Sequence, residues 1–101
     1  MIKLAAALKG VAGFTGAGAV RHCAWPDGHA TLDADLFGIA GLKAEIVVKG
    51  DAVGAIACRD GVAAARLDTR TGAALTALQP GDIIEIRQNG AVILRGALAK
   101  L

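Results

Sequence analysis

Three dipeptides of one kind punctuate this chain: Asp27-Gly28, Asp60-Gly61 and Asn89-Gly90, each between apolar or alternating runs. Asp or Asn followed by Gly tolerates the positive φ angles that a two-residue type I′ turn demands. The twist of that turn also matches the strands it joins, so such dipeptides mark tight β-hairpins. Gly50-Asp51 is a fourth candidate of weaker form. Pro80-Gly81-Asp82 differs, because Pro then Gly suits the two central positions of a type II turn leading into a strand.

Between these turns the hydrophobic period is two. In Ala30 to Leu36 the apolar residues share one face, and Thr31, Asp33 and Asp35 share the other. From Lys43 to Lys49, Ala44, Ile46 and Val48 oppose Lys43, Glu45, Val47 and Lys49. Ile84 and Ile86 likewise oppose Glu85 and Arg87, although Ile83 breaks the clean split. Alternation of this kind predicts half-buried strands of an antiparallel sheet. Strands are predicted over 2–9, 17–25, 29–37, 43–49, 52–59, 62–68, 82–88 and 91–98. The longest gap, 69–81, has room for a helical turn at Ala73 to Leu78. The fold class is therefore all-β: an antiparallel β-sandwich or a small β-barrel of six to eight strands joined by tight hairpins. Period alone does not separate the two, since both alternate inward and outward positions.

The 101 residues suit one β domain, 1–101. A chain of that length buries roughly 60–70% of the surface it exposes when unfolded, enough for one core without metal or disulfide. Hydrophobic residues make up 54%, much of it alanine, so the larger Leu, Ile and Val must supply most of the core energy, about 1.5–3 kcal/mol for each side chain fully buried. No run reaches the roughly 18–20 apolar residues of a membrane-crossing helix, so no membrane span is expected. The segment Met1 to Lys9 alternates and is interrupted by Lys9, which reads as a strand rather than a secretory signal and favours the cytoplasm. A net charge of +2 and only three aromatic residues, Phe14, Trp25 and Phe37, argue against nucleic acid as a partner.

Little in the sequence announces chemistry. Serine and tyrosine are absent. The soft metal ligands are His22, Cys23, His29 and Cys58, without the two-to-four-residue spacing that lets paired ligands reach one tetrahedral ion. His22 and Cys23 are adjacent, so a strand sends them to opposite faces. They stay weak metal candidates, and no cofactor is expected. A Cys23–Cys58 disulfide requires Cα atoms within about 7 Å; reduced thiols are favoured in a chain without an export signal. Asp33 and Asp35 share a strand face, where alternating acids more often solubilise than catalyse. The glycine-rich stretch Gly10 to Gly18 lacks the Lys-Ser/Thr of a phosphate loop and marks a bend, a bulge or close packing instead. An enzyme is not expected.

Trp25-Pro26-Asp27-Gly28 is the most conspicuous surface feature. Two readings fit: Trp25, with Asp27, as an exposed binding anchor of the kind enriched at interfaces, or Trp25 as a cap on the open end of an alanine-rich core. A gapped echo relates residues 18–33 to 54–68, no closer than any two Asp-Gly hairpins would be.

Residues 50–98 carry a further pattern: Leu67-Asp68-Thr69, Gly72, Pro80-Gly81-Asp82, Ile84-Glu85-Ile86, then Leu94 and Gly96. This resembles a set of small uncharacterised bacterial all-β domain proteins, in which a hairpin ending in Leu-Asp-Thr leads through a glycine-containing loop to Gly-Asp and a final hairpin ending in Leu-x-Gly. The resemblance implies an all-β fold and brings no activity or site residue with it. The function expected is a non-enzymatic interaction or structural module, self-associating as a homo-oligomer or held by a protein partner, because apolar excess and strand edges both favour association. The alternative is a small-molecule or metal-binding β protein using the barrel mouth or the Cys/His set.

Overall fold

The computed structural model describes residues 1–101. Its strands are β1 (Ile2–Gly10), β2 (Ala17–Ala24), β3 (Ala30–Phe37), β4 (Lys43–Val48), β5 (Asp51–Arg59), β6 (Val62–Asp68), β7 (Ile83–Gln88), β8 (Ala91–Ala97) and β9 (Ala99–Lys100). They hydrogen-bond in the order β2-β3-β6-β5-β4-β7-β8-β1-β9, and β1 also pairs with β2. That last pairing closes eight antiparallel strands into a barrel with β9 as an added strand. The barrel alternative is thus the correct one.

Closure turns the alternating pattern into an inside and an outside. Leu4, Ala6 and Leu8 of β1 point inward beside Val20 and His22 of β2 and Leu32, Ala34 and Leu36 of β3. Ile46, Ile56, Ile84, Ile86 and Leu94 complete the core from the other strands. At the point where β8 crosses β1, Gly96 lies against the Ala7 carbonyl, and a Cβ there would collide with it. Glycine at that position lets the two backbones meet.

The turns follow the sequence with two corrections. Asp60-Gly61 (φ 53° and 81°) and Asn89-Gly90 (φ 51° and 79°) are positive at both residues, as type I′ requires. Asp27 is not positive, whereas Gly28 is, at 94°. Trp25 and His29 close a three-residue loop there, with Gly28 N–H donating to the Trp25 carbonyl; Pro26 suits the helical start of such a loop and Gly28 its left-handed end. The fourth turn centres on Lys49-Gly50, not Gly50-Asp51. Around Pro80, Asp82 N–H donates to the Gln79 carbonyl and Gly81 has φ 93°, which fits the type II turn.

Two other expectations change. The helical turn in the long gap is a single 3-10 turn at Thr69–Thr71, ahead of the alanines, because the Asp68 side chain accepts from Arg70 N–H and caps it. Residues 73–79 run without regular structure and bring Leu75 and Leu78 onto the core. Val47, placed by alternation on the solvent side with Glu45, is buried. The β4–β5 register shifts between Ile46 and Val47, and Val47 faces Glu85 of β7, whose ion pairs with Arg87 and Arg95 hold long side chains along that stretch.

The wall is not uniform. β2 pairs with β3, and β1 with β2, through eight residue pairs each, but β5 meets β6 only at Cys58↔Ala63 and Arg59↔Val62. Beyond those two pairs the strands diverge into a seam. Leu67 of β6 fills its inner side, lying so near Gly54 of β5 that a Cβ on Gly54 would come within 2.8 Å of it.

Candidate interaction surface

The outer face of β1, β2, β3 and β6 can be read row by row from the registers. One row runs Ala5, Arg21, Asp33, Arg66; the next runs Ala7, Ala19, Asp35, Ala64; the third runs Lys9, Ala17, Phe37, Val62. Alanines supply the floor, and the charged side chains rise from it. The result is a trough of about 680 Å³ lined by Ala19, Arg21, Asp33, Asp35, Ala64 and Arg66, among others. Beyond its Asp35 row, Phe37 and Val62 are direct register partners, 55% and 51% exposed. On the other side of Arg21 lies a second hollow of about 380 Å³, lined by Ala5, Ala7, Ala19, Ala99 and Leu101.

The charges in the trough are unequally engaged. Arg66 forks onto Asp33, Nε to Oδ1 at 2.6 Å and Nη2 to Oδ2 at 3.1 Å, and that carboxylate pushes the guanidinium pKa up. Arg21 faces Asp33 across the β2–β3 register but makes no hydrogen bond or ion pair, and Asp35 has no cationic partner. The trough therefore presents one free cation and one free anion, diagonal to each other across adjacent strands.

The sequence-derived residues lie elsewhere. Trp25, Asp27 and His29 come together at the β2–β3 turn: the Trp25 and His29 rings stack with centroids 4.2 Å apart, and Asp27 accepts from the His29 backbone N–H and ring Nδ1. Those hydrogen bonds hold the Asp27 carboxyl below its usual range. Trp25 is half-buried and already engaged by a ring of its own chain. Nearby, the Arg70 guanidinium on Asp68 lowers that carboxyl to about 2.

The four weak metal candidates are separated. His22 points into the barrel, where its ring Nδ1–H donates to the Thr31 carbonyl at 3.0 Å and burial pushes its pKa down, so the ring is held neutral. Cys58 is also inward, and burial raises its thiol pKa. Cys23 alternates to the outer face, and His29 sits at the turn. Both cysteines are free thiols, on opposite sides of the wall. Nowhere do three His, Cys, Asp or Glu side chains gather in a group that could hold a metal ion.

No protein-family model matches this chain, and no curated protein matches it. Asp33 and Asp35 were visible in the sequence as acids sharing a face, but Arg21, Arg66, Phe37 and Val62 carried no signal as a set. They meet only because β3 pairs with β6 across roughly thirty residues of chain, which no local pattern encodes. No helix is long and apolar enough to cross a membrane.

Proposed function

We propose that the protein is a non-enzymatic interaction or structural β module that self-associates through the outer wall of β2, β3 and β6. One observation carries the reading: two large apolar side chains, Phe37 and Val62, stand side by side and half-exposed at the edge of the largest concavity of the molecule. Burying them is favourable at about 25 cal/mol per Å² of apolar surface removed from water, and a contiguous apolar patch next to a polar rim is the usual signature of a contact surface. The alanine floor supports the same reading, since small side chains let another backbone or a long side chain approach closely.

Sedimentation velocity over a concentration series tests it. The expected result is reversible association of the wild type that is weakened in Phe37→Lys/Val62→Lys. A chain that stays monomeric throughout, or an assembly indifferent to both substitutions, overturns the proposal. Circular dichroism separates loss of association from loss of fold.

A further inference from the structure

Resting on that reading of the wall, we infer that the partner is a second copy of this chain, in a two-fold dimer that seats the Arg21 guanidinium of each copy against the partner's Asp35. Asp33 and Arg66 satisfy each other, which leaves Arg21 and Asp35 as the unpaired charges of the trough, equal and opposite. A surface carrying one free charge of each sign is complementary to itself: a two-fold that lays Arg21 on Asp35 lays Asp35 on Arg21 at the same time, as isologous contacts must. A partner of uniform charge would satisfy one of the two and face repulsion from the other.

Shape follows the same line. On the diagonal across the wall the order is Ala5, Arg21, Asp35, Phe37, from the registers of β1, β2 and β3. Reversed upon itself, that order sets Arg21 opposite Asp35 and Phe37 opposite Ala5. The two projecting side chains thus meet the two depressions: Arg21 enters the 680 Å³ trough floored by Ala19 and Ala64, and Phe37 enters the 380 Å³ hollow formed by Ala5, Ala7 and Ala99. Arginine suits the role, because its guanidinium is weakly hydrated and offers several donors to a carboxylate. Ala19, next to both charges, lies near the two-fold and lets the copies close.

Charge reversal with mixing tests this. In Arg21→Glu the two contacts become Glu facing Asp; in Asp35→Arg they become Arg facing Arg. Each single variant is expected to dimerise about a hundredfold more weakly than wild type, since like-charge juxtaposition across an interface costs several kcal/mol. Mixed one to one, the two variants restore both opposite-charge contacts, and a heterodimer of near wild-type affinity is expected by native mass spectrometry. Recovery on mixing excludes misfolding as the cause of the loss. Dimerisation unaffected by either reversal, or no heterodimer on mixing, overturns the arrangement. If association still responds to Phe37→Lys, the wall stays the contact surface with a different geometry; if it does not, the reading of the wall fails as well.

Discussion

The wall of β1, β2 and β3 and the seam between β5 and β6 are built from similar residues and behave as opposites. On the wall, registers of eight pairs tie each strand to the next, and Leu4, His22 and Leu32 meet in one inward row. At the seam the strands share two pairs and then part. Alternation turns the backbone groups of Ala55 on β5 and of Arg66 on β6 toward the gap, beyond the last residues the two strands pair. Alanine content is high on both sides of the contrast. What differs is the ladder, so rigidity here is set by hydrogen-bond register more than by side-chain size.

Amide hydrogen exchange should sharpen that contrast most. Amides of Ala19, Arg21 and Cys23, which face β3, are expected to exchange only with opening of much of the barrel. Those of Ala55 and Arg66 are expected to exchange at nearly unprotected rates, because stability is distributed according to local pairing. Equal protection at both places would mean the seam closes in solution.

Truncation should break the comparison next. Leu32 is fully buried in the wall, and Leu32→Ala is expected to cost about 2–5 kcal/mol in urea unfolding. Leu67 is half-buried over Gly54 at the seam, and Leu67→Ala should cost about 1–2 kcal/mol, since part of its surface is already wet and the gap can relax. A Leu67 cost equal to that of Leu32 would make the seam part of the cooperative core.

These experiments bear on why so much of the fold was legible and the contact surface was not. Strand positions follow from period two and from Asp60-Gly61 and Asn89-Gly90, which act locally: eight segments fall within about two residues of where alternation puts them. Trp25 to His29 misled slightly, because Pro26 favours a three-residue loop over the type I′ turn that Asp27-Gly28 suggests. Val47 misled because a register shift with β5 is invisible in a single strand. Strand order is a global property. The β3–β6 pairing decides that Asp33 meets Arg66 and that Phe37 meets Val62, and nothing near either residue in sequence encodes it.

Acid should act on the wall from its inside. Burial lowers the pKa of His22 in the folded state, so folding disfavours its protonated form. Its contribution is complete above the ordinary histidine value of about 6.5 and is lost as pH falls below that, when the unfolded chain takes up the proton first. Asp68 acts lower down: its pKa of about 2 against an ordinary 3.8 gives a contribution present above about 4 and lost as pH falls toward 2. Unfolding free energy against pH should thus show two falling limbs. His22→Asn, which keeps a donor for the Thr31 carbonyl, is expected to remove the upper limb and leave the lower. A variant that keeps the upper limb would place its origin in another group.

The smallest effect expected concerns the most conspicuous polar contact on the wall. Arg66 and Asp33 form a two-point fork, yet their side chains are 64% and 34% exposed. Exposed pairs gain little, because water already solvates both ions and salt screens what is left. A double-mutant cycle of Asp33→Asn and Arg66→Gln on the dilute, dissociated chain should give a coupling of about 0.2–1 kcal/mol that shrinks with added salt. At concentrations where the chain associates, the same pair would lie at the edge of a dry contact, where a hydrogen-bonded ion pair is screened less. The coupling should then rise and lose part of its salt dependence. A coupling that is small and identical at both concentrations would mean that the fork stays in water throughout, and that the copies meet somewhere other than the β2–β3–β6 wall.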